Sequence, residues 1–79
     1  MEIVVIASSV TPFYVAVADD EGLVIHSTNS LACNVISTIE NFISLYEVTQ
    51  IRVKGEGAYV KQIIKELQEV FSVIPVVEF

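Results

Sequence analysis

Ile51-Arg52-Val53-Lys54-Gly55-Glu56-Gly57 is the stretch on which the fold turns. Ile51 and Val53 alternate with Arg52 and Lys54, the period of a strand. The two glycines around Glu56 then permit a sharp turn and a positive φ that other residues resist. From Val60 onward the apolar residues Val60, Ile63, Ile64, Leu67, Val70 and Phe71 fall at helical spacing, while Lys61, Gln62, Lys65, Glu66, Gln68 and Glu69 take the wet side. Strand, glycine turn and helix therefore succeed one another directly. Free N–H groups at the start of such a helix favour an anion, which makes Lys54, Gly55, Gly57 and Lys61 a candidate anion or RNA loop. The plainer reading of the same glycines is a tight turn.

Upstream of this unit, Leu31, Val35, Ile36, Ile39, Phe42, Ile43 and Tyr46 recur at the spacing of a first helix, with Thr28, Asn29 and Ser30 as candidate caps. Cys33 falls between the two sides of that helix and is expected to be a small, half-buried core residue. Before the helix come three strands, at 2–7, 13–18 and 23–27. They are separated by the turn formers Ser8-Ser9-Val10-Thr11-Pro12 and Asp19-Asp20-Glu21-Gly22. The first is apolar and β-branched throughout, as suits the middle of a sheet. The fourth strand covers 49–54. The last, 73–78, contains Pro75, which has no N–H to give to a ladder and so belongs at an edge.

The predicted order is β-β-β-α-β-α-β in a single α/β domain spanning 1–79. The expected sheet is mixed and five-stranded, ordered 3-2-1-4-5 with the second strand antiparallel. Crossovers between parallel strands are right-handed, and both step the same way along this order, so both helices are expected on one face. This is the arrangement of the ribonuclease H-like superfold. Ala7-Ser8, the turn Asp19-Asp20-Glu21-Gly22 and above all Val53-Lys54-Gly55-Glu56-Gly57 resemble segments of the eleventh small-subunit ribosomal protein family. That resemblance implies an RNA- or ribosome-associated module. It also implies a basic, ribosomal-RNA-binding chain with long positive tails, whereas these 79 residues are acidic.

Ten carboxylates against four cations give a formal net charge of −6, and every Lys and Arg lies at or after Arg52. An acidic chain repels phosphate overall, so nucleic acid is the disfavoured partner unless Arg52, Lys54, Lys61 and Lys65 act locally. With 53% hydrophobic residues, a chain of this length can build a core without disulfides or metal. Its apolar runs are strand-length, too short for a membrane span, and no secretory signal opens it. With one cysteine it has no internal disulfide. The expected setting is soluble and cytoplasmic.

Nucleases of the superfold hold paired metals with carboxylates on the first strand, first helix and fourth strand. Here the first strand runs into Ala7-Ser8-Ser9 and the fourth ends in Lys54, which leaves only Glu40 on the first helix. The sequence therefore implies no enzyme, no cofactor and no metal. Asp19, Asp20 and Glu21 read as a solvated turn. His26 reads as an ordinary strand residue, with no orienting carboxylate and no spacing that brings Ser8, Ser9 or Thr11 to it. The remaining expectation is a small adaptor or inhibitor that binds a protein partner, or forms a homodimer, through the sheet face the helices leave open. Strand alternation assigns that face Tyr14, Ala16, Val24, His26, Arg52 and Lys54, with Tyr14 as anchor.

Overall fold

Alternation sorts the residues of the sheet before any helix is added. A computed structural model describes residues 1–55 and 57–79. Its strands are β1 (Glu2–Ile6), β2 (Phe13–Ala18), β3 (Val24–Ser30), β4 (Gln50–Lys54) and β5 (Val76–Glu78); its helices are α1 (Val35–Leu45) and α2 (Gly57–Val70). The sheet order is β3-β2-β1-β4-β5. β1 and β2 are antiparallel, as are β2 and β3, whereas β1 with β4 and β4 with β5 are parallel. The mixed five-stranded α/β architecture expected from the sequence is present.

Ile3 and Val5 of β1 pair with Val17 and Val15 of β2 on one side and with Ile51 and Val53 of β4 on the other, and Ile51 continues to Val76 of β5. All of these side chains are buried. They form one apolar cluster with Val35, Ile39 and Phe42 of α1, Val60, Ile63 and Leu67 of α2, and Phe71 just beyond it. A single cluster drawing on both helices and one parity of the strands means that both helices cover the same face. Burying such a side chain stabilises by roughly 1.5–3 kcal/mol relative to leaving it in water, so this layer carries most of the fold.

The two glycines do different jobs. Gly57 opens α2 at φ +69, the left-handed region where a Cβ is strained, but has open space around it. Gly55 is needed for room, since a Cβ there would meet Val60 Cγ2 at 2.6 Å and the Ala7 carbonyl oxygen at 3.0 Å. Close approach is also what lets the Ala7 N–H donate to the Lys54 carbonyl at 2.8 Å, prolonging the β1–β4 ladder. Glu56, between them, lies outside the described residues.

Four local expectations are corrected. Thr28, Asn29 and Ser30 do not cap α1. They extend β3, and the chain enters the helix through a 3₁₀ turn, Ala32–Asn34, that has no side-chain cap. Ser30 instead meets Thr38 of α1, Oγ to Oγ1, at 3.0 Å. Cys33 sits in the 3₁₀ turn and is exposed, not half-buried. The last strand is shorter than expected. Pro75 precedes it and contributes through its carbonyl, which accepts the Ile51 N–H at 2.9 Å.

The fourth correction changes the face on which His26 lies. The β2–β3 register shifts between Val17 and Ala18, which pair with His26 and Val24 and leave Ile25 as the extra residue. One inserted residue flips the parity of the strand beyond it. His26 therefore joins the helix side, where its ring meets Phe42 edge-on at 4.9 Å and lies 6.3 Å from Tyr46.

Gly55→Ala is expected to lower the unfolding free energy by about 2 kcal/mol through overpacking, and Gly57→Ala by only about 1 kcal/mol, the cost of a left-handed alanine. Urea titrations followed by far-UV circular dichroism check the order; Gly57 proving the costlier site would contradict the packing argument.

Candidate functional site

The registers fix which side chains share the face opposite the helices. One row across the sheet runs Asn29, Tyr14, Ile6, Lys54; the next runs Ser27, Ala16, Val4, Arg52, Val77; the third runs Val24, Ala18, Glu2, Gln50. The chain continues past β5, where the Phe79 N–H donates to the Val53 carbonyl at 3.0 Å and the Phe79 ring lies under the Arg52 guanidinium, 4.2 Å from its centroid. The Lys54 ammonium is 5.8 Å from the same ring. Among the described residues no element covers this face.

Its chemistry is mixed in an ordered way. Tyr14 and Val4 are half-buried in the middle, and Ile6, Val24, Val77 and Phe79 are exposed around them. Arg52 is held from two sides, stacked on Phe79 and donating from Nη1 to Glu2 Oε1 at 3.2 Å. A half-buried ion pair still open to solvent contributes on the order of 1 kcal/mol or less, so its consequence is to aim the guanidinium along the face. Lys54 has no carboxylate partner among the described residues. Two cations against one carboxylate make this a positive face on a chain of net charge −6.

Of the six residues assigned to the face from sequence, Tyr14, Val24, Arg52 and Lys54 lie on it in positions a partner can touch. Ala16 lies on it too, but at 1% exposure its methyl is sunk beside Tyr14 and Val4 and offers no area. His26 is on the other side. Sequence reasoning missed Phe79, whose position under Arg52 depends on the β4–β5 register, and Glu2, whose role depends on the β1–β4 pairing. Apolar-polar alternation in those short terminal segments is the only signal either could have given.

A cavity of about 450 Å³ opens where β1 and β4 end, lined by Ser8, Ser9, Val10, Lys54, Gly55 and Tyr59. This is the end of a mixed sheet at which small ligands commonly sit. One of its polar groups is engaged within the chain: Ser8 Oγ accepts the backbone N–H groups of Val10 at 3.2 Å and Thr11 at 3.1 Å. Of the candidate anion loop, Lys54 is exposed at this rim, Gly55 is packed beneath it, and Gly57 and Lys61 are exposed in the first turns of α2. Lys65 lies one helical turn beyond Lys61, so these two lysines are on the helix layer whereas Arg52 is on the opposite side of the sheet.

His26 is in register with Ile3 through Val17, five residues short of Ser8, about 16 Å at 3.3 Å per residue. Its Nδ1 lies 3.4 Å from Tyr46 Oη, and no serine or threonine hydroxyl is bonded to it among the described residues. Asp19 serves its own turn, with Oδ1 accepting the N–H groups of Glu21 at 3.0 Å and Leu23 at 2.9 Å. Glu40 is exposed on α1. No group of three His, Cys, Asp or Glu side chains that could hold a metal occurs among the described residues, and no helix is long and apolar enough to cross a membrane.

Comparison with protein-family models, curated proteins and solved structures finds no match to this chain.

With Mg²⁺ or Mn²⁺, the purified protein is expected to leave RNA–DNA hybrids, branched DNA and ATP intact over hours in a gel and phosphate-release assay. Metal-dependent cleavage that disappears in Glu40→Gln would contradict this.

Proposed function

We propose that this chain is a ribonuclease H-like domain that works without catalysis, as a small adaptor or inhibitor that binds another protein on the uncovered face of its sheet. The strand order and the placement of both helices on one side support the superfold reading. The observation that carries the function is the face itself: an apolar centre of Tyr14 and Val4 flanked by exposed Ile6 and Phe79, with Arg52 and Lys54 beside them, on a domain that is otherwise acidic. Contiguous exposed apolar surface is uncommon on monomers unless something binds there. The charge selects the occupant. A protein surface with an apolar centre and carboxylates at its rim matches this face and is repelled by the rest of the domain. The free thiol of Cys33 fits a reducing compartment such as the cytoplasm.

An RNA- or ribosome-associated role draws on the same cations. It is the weaker reading, because Lys61 and Lys65 sit on α2 while Arg52 is stacked on the far side of the sheet, so the four do not line one groove.

A partner captured from source cells should survive nuclease treatment. It should bind Tyr14→Glu and Lys54→Glu at least tenfold more weakly than the native chain, with native circular dichroism in both variants; a central aromatic is worth roughly 2 kcal/mol at such interfaces. A complex that nuclease abolishes, and whose affinity falls steeply with salt, would overturn the protein-binding reading in favour of RNA.

A further inference from the structure

The two edges of the sheet are treated differently. β5 is three residues long, is preceded by Pro75 and carries Glu78, all devices that discourage another strand from pairing. β3 has none of them after its bulge. It is seven residues long and exposed from Val24 to Asn29, and among the described residues no strand lies beyond it. The regular part of its ladder, His26 to Ser30, contains no proline, no glycine and no charge.

The absence of charge extends well past the strand. From Gly22 to Ile39 the sequence has no Asp, Glu, Lys or Arg, although the chain holds ten carboxylates and four cations. This neutral stretch also carries exposed apolar side chains, Leu23 at 65%, Val24 at 50% and Leu31 at 57% exposure. A groove of about 290 Å³ between β3 and α1 continues the same character, lined by His26, Thr28, Thr38, Asn41, Phe42 and Leu45. Glu40, the first acid after the stretch, borders a different groove, shared by α1 with Val70 to Ile74.

We infer that β3 pairs with β3 of a second copy of this chain, antiparallel about a two-fold axis, to make a continuous ten-stranded sheet. The occupant is selected by charge and symmetry. Two copies of a molecule at −6 repel wherever acids meet, and the β3 edge with its flanking groove is the neutral strip through which they can approach. An antiparallel strand edge is self-complementary about a two-fold, so one surface serves both partners. The bulge at Ile25 confines regular pairing to His26–Ser30, which puts the axis at its centre, Thr28, and brings the two Thr28 residues opposite each other. With the axis normal to the sheet, both helix layers fall on one side. The two faces bearing Tyr14 and Arg52 then lie side by side on the other, a bivalent surface for the proposed partner.

Sedimentation velocity over a concentration series, with the whole chain, tests this. The native protein should show a monomer–dimer equilibrium. Thr28→Asp and Thr28→Lys should each raise the dimer Kd at least tenfold, because either sign repels its own copy across the axis, and an equimolar mixture of the two should regain the dimer. Tyr14→Glu should leave the Kd unchanged, which separates this interface from the one on the open face. Should a Thr28 variant lose its native spectrum, Asn29→Asp and Asn29→Lys give the same reading one residue from the axis. A native chain that stays monomeric throughout, a dimer indifferent to these charges, variants that do not complement each other, or a dimer broken by Tyr14→Glu alone would each overturn the inference.

Discussion

Handedness of connection is the constraint on which the rest depends. β3 reaches β4 through α1 and β4 reaches β5 through α2, and both crossovers step toward the β5 edge between parallel strands. Right-handed crossovers that step the same way must lay their helices on the same side. One parity of the strands, Ile3, Val5, Val15, Val17, Ile51 and Val53, is thereby committed to the core. The other parity is left without a layer, in a chain that has no further element to supply one among its described residues. The proposed function rests on that asymmetry, because an uncovered face with an apolar centre is a surface on which a partner could dock.

The sheet could be read from the sequence because its middle is unambiguous. β1 and β2 are β-branched or aromatic at every core position, β4 runs into a glycine pair, and α2 keeps a clean helical stripe, so strand order and pairing are set by connection rules. The margins were harder to read because there the signal is local and weak. Thr28, Asn29 and Ser30 are as good at capping helices as at hydrogen-bonding within an edge strand, and tertiary pairing with Phe13, Tyr14 and Val15 decides for the strand. The bulge at Ile25 has no glycine of its own to announce it, and it moves His26 from the open face to the side of Phe42 and Tyr46.

The candidate site shows the same division. Tyr14, Arg52 and Lys54 are placed by alternation within strands whose register the core fixes. Phe79 and Glu2 matter because of the group they meet across strands, a guanidinium in each case, and cross-strand pairing is invisible until the register is known. Ala16 was placed on the correct face, but its exposure depends on the size of its neighbours and not on its own parity. Charge gave the most specific information the sequence held: the cations begin only at Arg52, and the stretch from Gly22 to Ile39 has no charge at all. Arg52 and Lys54, the first two of those cations, lie on the open face, and the uncharged stretch contains the open edge strand.

Adjacent residues of the central strand give the most direct test of one-sided packing. In a Cys33→Ser background, Val4→Cys places a thiol on the uncovered face and Val5→Cys places one under the helices. Under native conditions a maleimide should label Val4→Cys readily, whereas Val5→Cys should react only at the rate of unfolding. Equal protection of both thiols in the isolated protein would mean that a second layer covers the face assigned to a partner, and would contradict the account.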